Sequence, residues 1–234
     1  MTDELTIPEA PVQQPSLPFY EVWNIALRRP TLEAYQRLLQ DPQATLGRAV
    51  VWLLVVGAIS GVLSAASQLV WTRVLSSGAL AQFAGSGQTL PQEFGLAGLN
   101  MTILLLCGIP IGAISLVLGQ MLYFGLVHFT ASALGGQGTF GQLLYANTAY
   151  YAPVTLISSL LALIPCLACL AMPLAIYSFA LQFLAVRAAT RLGWGGAIGS
   201  VLIVTFLFVL VAIVLVLLLV VPLMDQLQGL YPIA

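Results

Sequence analysis

The sequence predicts an all-α, polytopic membrane protein: five transmembrane helices in a bundle, with the N-terminus cytoplasmic and the C-terminus external. Three observations predict it. Of the 234 residues, 60% are hydrophobic and only 6% charged, with a mean hydropathy of +1.00, whereas soluble domains carry about a quarter charged residues. Apolar runs of about 20 residues recur, the length a helix needs to cross ~30 Å of hydrocarbon. No carboxylate falls inside such a run: Asp3, Glu4, Glu9, Glu21, Glu33, Asp41, Glu93 and Asp225 lie in tails, loops or at run ends.

Residues 1–18 read as a disordered acidic leader containing Pro8, Pro11 and Pro15, without the basic start of a cleavable signal peptide. Residues 19–48 read as cytoplasmic or interfacial amphipathic helices. Phe19, Val22, Trp23, Ala26 and Leu27 share one helical face, with Arg28 and Arg29 behind it. That pattern suits a helix in the headgroup layer and equally one packed on the bundle's own loops. Pro30 breaks the chain, and Thr31 is placed to cap a short helix bearing Leu32, Tyr35, Leu38 and Leu39. Asp41-Pro42 reads as a cap followed by proline at the first helical position, opening the first span.

The transmembrane domain covers 49–224, with spans at 49–71, 100–126, 143–164, 166–186 and 197–223. The third and fourth are nearly continuous, and together they exceed one crossing, so a tight turn is expected at Pro165. Orientation follows from arginine. A cytoplasmic N-terminus keeps Arg28, Arg29, Arg37, Arg48, Arg187 and Arg191 inside and leaves only Arg73 outside. The one sizeable external loop is then Ser76–Leu99, and residues 225–234 form a short external tail.

Small residues mark helix contacts. Gly57 and Gly61 form a GxxxG pair extended by Ala65, and Gly108, Gly112, Ser115 and Gly119 make a stripe down the second span. Such stripes let backbones approach where lipid gives apolar side chains no reason to associate. Pro110, Pro153 and Pro173 interrupt three spans, and the carbonyls they free need partners inside the bundle. Gly135 and Gly136 are expected to reverse the chain between spans two and three, with Thr139 or Gln142 capping the outgoing helix. Residues 201–221 are almost all Val, Leu, Ile and Phe, as expected of the most lipid-exposed helix.

The candidate functional residues are a polar cluster in the cytoplasmic half: His128, Asn147, Tyr151, Thr155 and Gln182, with Ser158 and Ser178 beside them. They read either as a small polar cavity or as interhelical hydrogen bonding. His128 has no second histidine or carboxylate at ligand spacing, so no metal site is expected. Cys166-Leu167-Ala168-Cys169 has CxxC spacing without a second pair or a redox-domain pattern, and Gly135-Gly136-Gln137-Gly138 lacks the lysine of a phosphate loop. No catalytic triad or nucleotide fingerprint is present, so neither an enzyme nor a cofactor is expected. A net charge of -1 gives no field for nucleic acid.

Several motifs, in order, carry a family resemblance: Trp23 to Pro30, then Gly135-Gly136-Gln137-Gly138-Thr139-Phe140-Gly141-Gln142, then Ala149-Tyr150-Tyr151-Ala152-Pro153. From about Phe19 to Leu223 the chain resembles the Yip family of Ypt/Rab-interacting membrane proteins, especially its compact prokaryotic branch. The resemblance implies five spans, a cytoplasmic N-terminus and the plasma (inner) membrane of a prokaryote. Eukaryotic members carry Asp-Leu-x-Gly-Pro before the membrane and Gly-Tyr in span three. Here Leu27-Arg28-Arg29-Pro30 and Ala149 stand at those places, so a Rab-type GTPase partner is not carried over.

The expected function is therefore non-enzymatic: scaffolding or membrane organisation through helix packing and the N-terminal segment. The expected partners are membrane lipids and either another membrane protein or a second copy. The competing expectation is a small transporter or lipid-translocating protein that uses the polar cluster.

Overall fold

The computed structural model describes residues 16–76 and 101–230, and every regular element among them is helical. The elements are α1 (Phe19–Arg28), α2 (Leu32–Leu39), α3 (Leu46–Ser76), α4 (Met101–Ala133), α5 (Phe140–Ala162), a 3₁₀ segment (Pro165–Leu170), α6 (Ala171–Thr190) and α7 (Trp194–Leu230). Most of the expected leader (1–15), the Ser76–Leu99 loop beyond Ser76, and the last residues of the tail (231–234) lie outside the described residues.

Local chemistry sets the boundaries. α1 begins after Pro18 and stops before Pro30, and Thr31 caps α2 by accepting from the Ala34 N–H at 3.2 Å. Asp41 does not cap the first long helix. Residues 40–43 form a turn in which Asp41 Oδ1 accepts from the Gln43 N–H at 2.9 Å, and α3 starts at Leu46 with Thr45 Oγ1 accepting from the Arg48 N–H. Asx-turn geometry competes with helix capping for the same side chain, and here the turn wins. At the far end α7 continues through Asp225 to Leu230, so the tail expected from 225 begins as helix.

The turn expected at Pro165 is present: α5 ends at Ala162, Pro165 opens the 3₁₀ segment, and α6 returns alongside α5. Pro110 and Pro153 lie inside α4 and α5. Pro173 falls in the first turn of α6, where a missing N–H leaves no intrahelical bond unmade.

Four stretches are long and apolar enough to span a membrane: Leu46–Trp71, Cys107–Ala133, Cys166–Thr190 and Trp194–Leu218. α5 is not among them. Its length suffices, but Gln142, Asn147, Thr148, Thr155, Ser158 and Ser159 lower its hydropathy. Its first half is instead enclosed by other helices: α5 packs against α1, α2, α3, α4 and α6, whereas Ile157 and Leu160 in its second half are 42% and 54% exposed. α7 packs on α4 and α6 and turns most of its circumference outward.

The closest seam joins α3 to α4. A Cβ placed on Gly61 would lie 2.1 Å from the Gly108 carbonyl oxygen, and one on Gly112 would lie 2.6 Å from that of Gly57. Backbone meets backbone there, so the absent side chains are what permit the approach. Gly119, on the same sequence stripe, has nothing within 4 Å of its Cβ position and takes no part in the seam.

Candidate functional site

Two hydrogen-bond networks occupy the bundle, and both begin on α4. Gln120 Oε1 accepts from Asn147 Nδ2 of α5 at 3.0 Å, and the Tyr150 hydroxyl, one turn further along α5, donates to Asn147 Oδ1. Asn147 is fully buried, so this pairing meets the demand that an amide makes once it is withdrawn from water. Three residues after Gln120, the Tyr123 hydroxyl accepts from Gln182 Nε2 of α6 at 2.8 Å. It also pairs with Thr205 Oγ1 of α7 at 2.8 Å. An i, i+3 pair on α4 thus ties it to the three helices that follow.

The five residues expected to cluster do not share one hydrogen-bond network. Asn147 and Gln182 belong to separate networks. Tyr151 packs against the core, and Thr155 lines a groove between α3, α4 and α5. His128 lies 6.1 Å, ring to ring, from Phe140, and its buried Nδ1 has no hydrogen-bond partner. Sequence reasoning passed over Gln120, Tyr123 and Thr205. Their signal was the i, i+3 spacing of Gln120 and Tyr123 on an otherwise apolar run.

The groove that holds Thr155 has a volume of about 720 Å3, and its mostly apolar wall includes the hydroxyl residues Ser60, Ser64, Ser115 and Ser159. It runs along the glycine seam, with Gly57, Gly61, Gly108 and Gly112 in its wall. Ser60 Oγ is buried there without a partner.

At the end of the bundle where α1 and α2 lie, an ionic and aromatic clamp fixes them. Arg48 NH1 donates to the fully buried Asp41 Oδ2 at 3.0 Å, and NH2 donates to the Leu17 carbonyl. The guanidinium lies 4.9 Å from the Trp52 ring centroid and 6.0 Å from that of Tyr145 on α5. Trp52 in turn meets Trp23 of α1 edge-on at 6.1 Å. Arg48 thus links the approach to α1, the 40–43 turn, α3 and α5.

The apolar face of α1 is divided between bundle and solvent. Val22 and Ala26 are fully buried, whereas Phe19 and Tyr20 are 54% and 65% exposed. On α2, Tyr35 and Leu38 are fully buried. Burial, reinforced by nearby Tyr177, holds the Tyr35 phenol well above its ordinary pKa, and its hydroxyl donates to the Ala26 carbonyl at 3.4 Å. Tyr177 of α6 donates to the Leu27 carbonyl at the end of α1.

The glycine-rich connection docks as well as turns. Gly135 takes a φ of +91°, the conformation that favours glycine, and the Gly136 N–H donates to the Ala131 carbonyl at 2.9 Å. The Gln137 N–H reaches across to the Thr190 carbonyl at 3.0 Å. A Cβ on Gly138 would lie 1.9 Å from the Ala189 oxygen, so this glycine is required by contact with α6. Thr139 then caps α5 in a reciprocal box with Gln142.

Among the described residues no three His, Cys, Asp or Glu side chains converge on a metal position, and Cys166 and Cys169 are free and exposed. The chemistry on offer is hydrogen bonding, aromatic stacking and close backbone contact. Comparison of the chain with family models, curated proteins and solved structures finds no match in any of the three.

Proposed function

We propose that the chain is a five-pass, non-enzymatic membrane-organising protein of the Yip-like type, working through α1, α2 and its helix surfaces. The observation that carries this reading is the divided face of α1: Val22 and Ala26 are locked into the bundle while Phe19 and Tyr20 stand exposed beside it. Aromatic rings followed by Arg28 and Arg29 are the composition that settles at a lipid headgroup layer. α5 supplies the fifth crossing, its polar residues tolerated because neighbouring helices enclose them. The arginine distribution supports a cytoplasmic N-terminus; the plasma membrane of a prokaryote is what the resemblance to the compact prokaryotic branch implies. Lipids, another membrane protein or a second copy are the partners this surface fits.

A photocrosslinker placed at Phe19 and at Tyr20 in the membrane-embedded protein tests the reading. Adducts with lipid or with one protein are expected, and failure to capture either under any condition contradicts it. Topology has its own check. Reporters after Gln40 and after Arg191 read cytoplasmic, and those at Gly87 and Ala234 read external; a cytoplasmic Ala234 contradicts five crossings.

The groove that holds Thr155, apolar with a few hydroxyl residues in its wall, favours a second reading, a small transporter or lipid-translocating protein. Cysteines at Ser64 and Thr155 decide between the two. Labelling of Thr155→Cys by a water-soluble reagent supports a conduit, and protection of Thr155→Cys supports the organising role.

A further inference from the structure

Where α2, α5 and α6 meet at one end of the bundle they leave a cleft of about 560 Å3. Its polar groups are Gln36 of α2, Gln40 just after it, Gln142 in the first turn of α5, and Arg187 and Arg191 at the end of α6. Buried Ala188 and Ala189 are small enough to leave the cleft open between the two arginines. Among the described residues no carboxylate lines it. Neither guanidinium has an ion-pair partner among the described residues, in contrast to Arg48 with Asp41. Arg187 stacks its carbon at 4.4 Å from the Trp194 ring centroid, which orients the guanidinium and leaves its N–H edge free.

Two further features point to an anion held at headgroup depth. The apolar stretch of α6 ends at Thr190 and that of α7 begins at Trp194, so the arginines bracket the level where two apolar helices reach water. Arg191 also sits at φ +57°, a left-handed position at the helix end that favours glycine. A bulky cation at such a position is unfavourable for the backbone, a cost that fits a residue retained for binding.

We propose that this cleft binds a phosphate-bearing anion, either a phospholipid headgroup or free phosphate. Arg187 and Arg191 present planar forks to its oxygens, the geometry by which guanidinium recognises phosphate. The glutamine amides add neutral donors, and Gln142 places the positive end of α5 nearby.

The test uses the full chain purified in detergent, with phosphatidylglycerol and inorganic phosphate as separate probes and zwitterionic phosphatidylcholine, whose phosphate is balanced by its own choline cation, as the net-neutral reference. Wild type is expected to bind at least one of the two anionic probes in preference to phosphatidylcholine. Retention of phosphatidylglycerol alone identifies the headgroup as the source, and binding of inorganic phosphate identifies the free anion. The Arg187→Gln/Arg191→Gln variant is expected to bind about tenfold more weakly or worse. Arg191→Gly relieves the backbone, so it folds at least as well as wild type and still loses affinity. Gln36→Trp fills the cleft with both charges intact and lowers affinity too. Arg28→Gln/Arg29→Gln removes the same charge elsewhere and leaves binding unchanged. The proposal is overturned if wild type binds neither anion, if Arg191→Gly and Gln36→Trp both bind like wild type, or if Arg28→Gln/Arg29→Gln loses as much as the cleft variants.

Discussion

Helices α5 and α7 are both long enough to cross a bilayer, and they meet opposite surroundings. In α5, Leu143 through Tyr150 are buried without a break, which at 3.6 residues per turn covers the whole circumference. In α7, the side chains from Phe206 to Leu218 face outward almost throughout, with Phe206 70% and Leu218 64% exposed. The more apolar helix is the outer one. Lipid tails are as apolar as leucine, so burial within protein gives an aliphatic side chain little. Small residues gain from close packing and polar ones from partners, and α5 is rich in both.

The largest expected effect comes from uncovering α5. Arg48→Ala leaves the buried Asp41 carboxylate without its cation and removes the guanidinium stacked on Trp52 and Tyr145. A loss of about 3–5 kcal/mol is expected. It is read as a lower thermal midpoint in membranes and faster tryptic cleavage after Arg28. An unchanged cleavage rate would mean that α1 and α2 are held without the clamp.

Next in size is a matched pair of bulk substitutions. Ala149 is fully buried in α5 and Leu210 is 48% exposed on α7. Ala149→Phe is expected to cost about 3 kcal/mol through overpacking, and Leu210→Phe to leave folded yield unchanged. Equal yields would break the comparison between the two helices.

Removing single polar groups sharpens it. Asn147→Ala strands the Gln120 amide and the Tyr150 hydroxyl inside the bundle and should cost about 2 kcal/mol. Thr205→Val takes one bond from Tyr123 on the α7 side, with an expected cost of ~0.6 kcal/mol. Thermal midpoints of the two variants, side by side, check the order.

The smallest contrast lies in the turn that delivers the chain to α5. Gly135→Ala places a side chain at φ +91° and should cost about 1 kcal/mol. Gln137→Ala keeps the backbone bond to Thr190 and should be silent in folded yield.

These contrasts also mark what was legible in the sequence. Apolar runs located the starts of the long helices to within five residues, because a run's length is a one-dimensional signal, whereas α4 and α7 run seven residues past their expected ends. The start of α5 was readable for the same reason, since Thr139 and Gln142 are three apart in a capping box. The candidate site was much less legible. Hydropathy indicates depth but not azimuth, so His128, Asn147 and Gln182 at similar depth were grouped although they face different neighbours. Gly119 fits the small-residue spacing of Gly108 and Gly112, yet nothing in the sequence shows that its Cβ position meets open space. Asp41 beside a proline carries a strong capping signal. Its pairing with Arg48 depends on how the 40–43 turn folds back, which no local pattern records.

The central claim is that protein encloses the first half of α5 and that α7 faces lipid. Carbene footprinting of the unmodified protein, from diazirine-bearing lipids in a reconstituted bilayer, tests this most directly. The account predicts labelling on all sides of α7 between Phe206 and Leu218, and none on α5 between Leu143 and Tyr150. Labelling of that α5 segment at the level seen on α7 would contradict it.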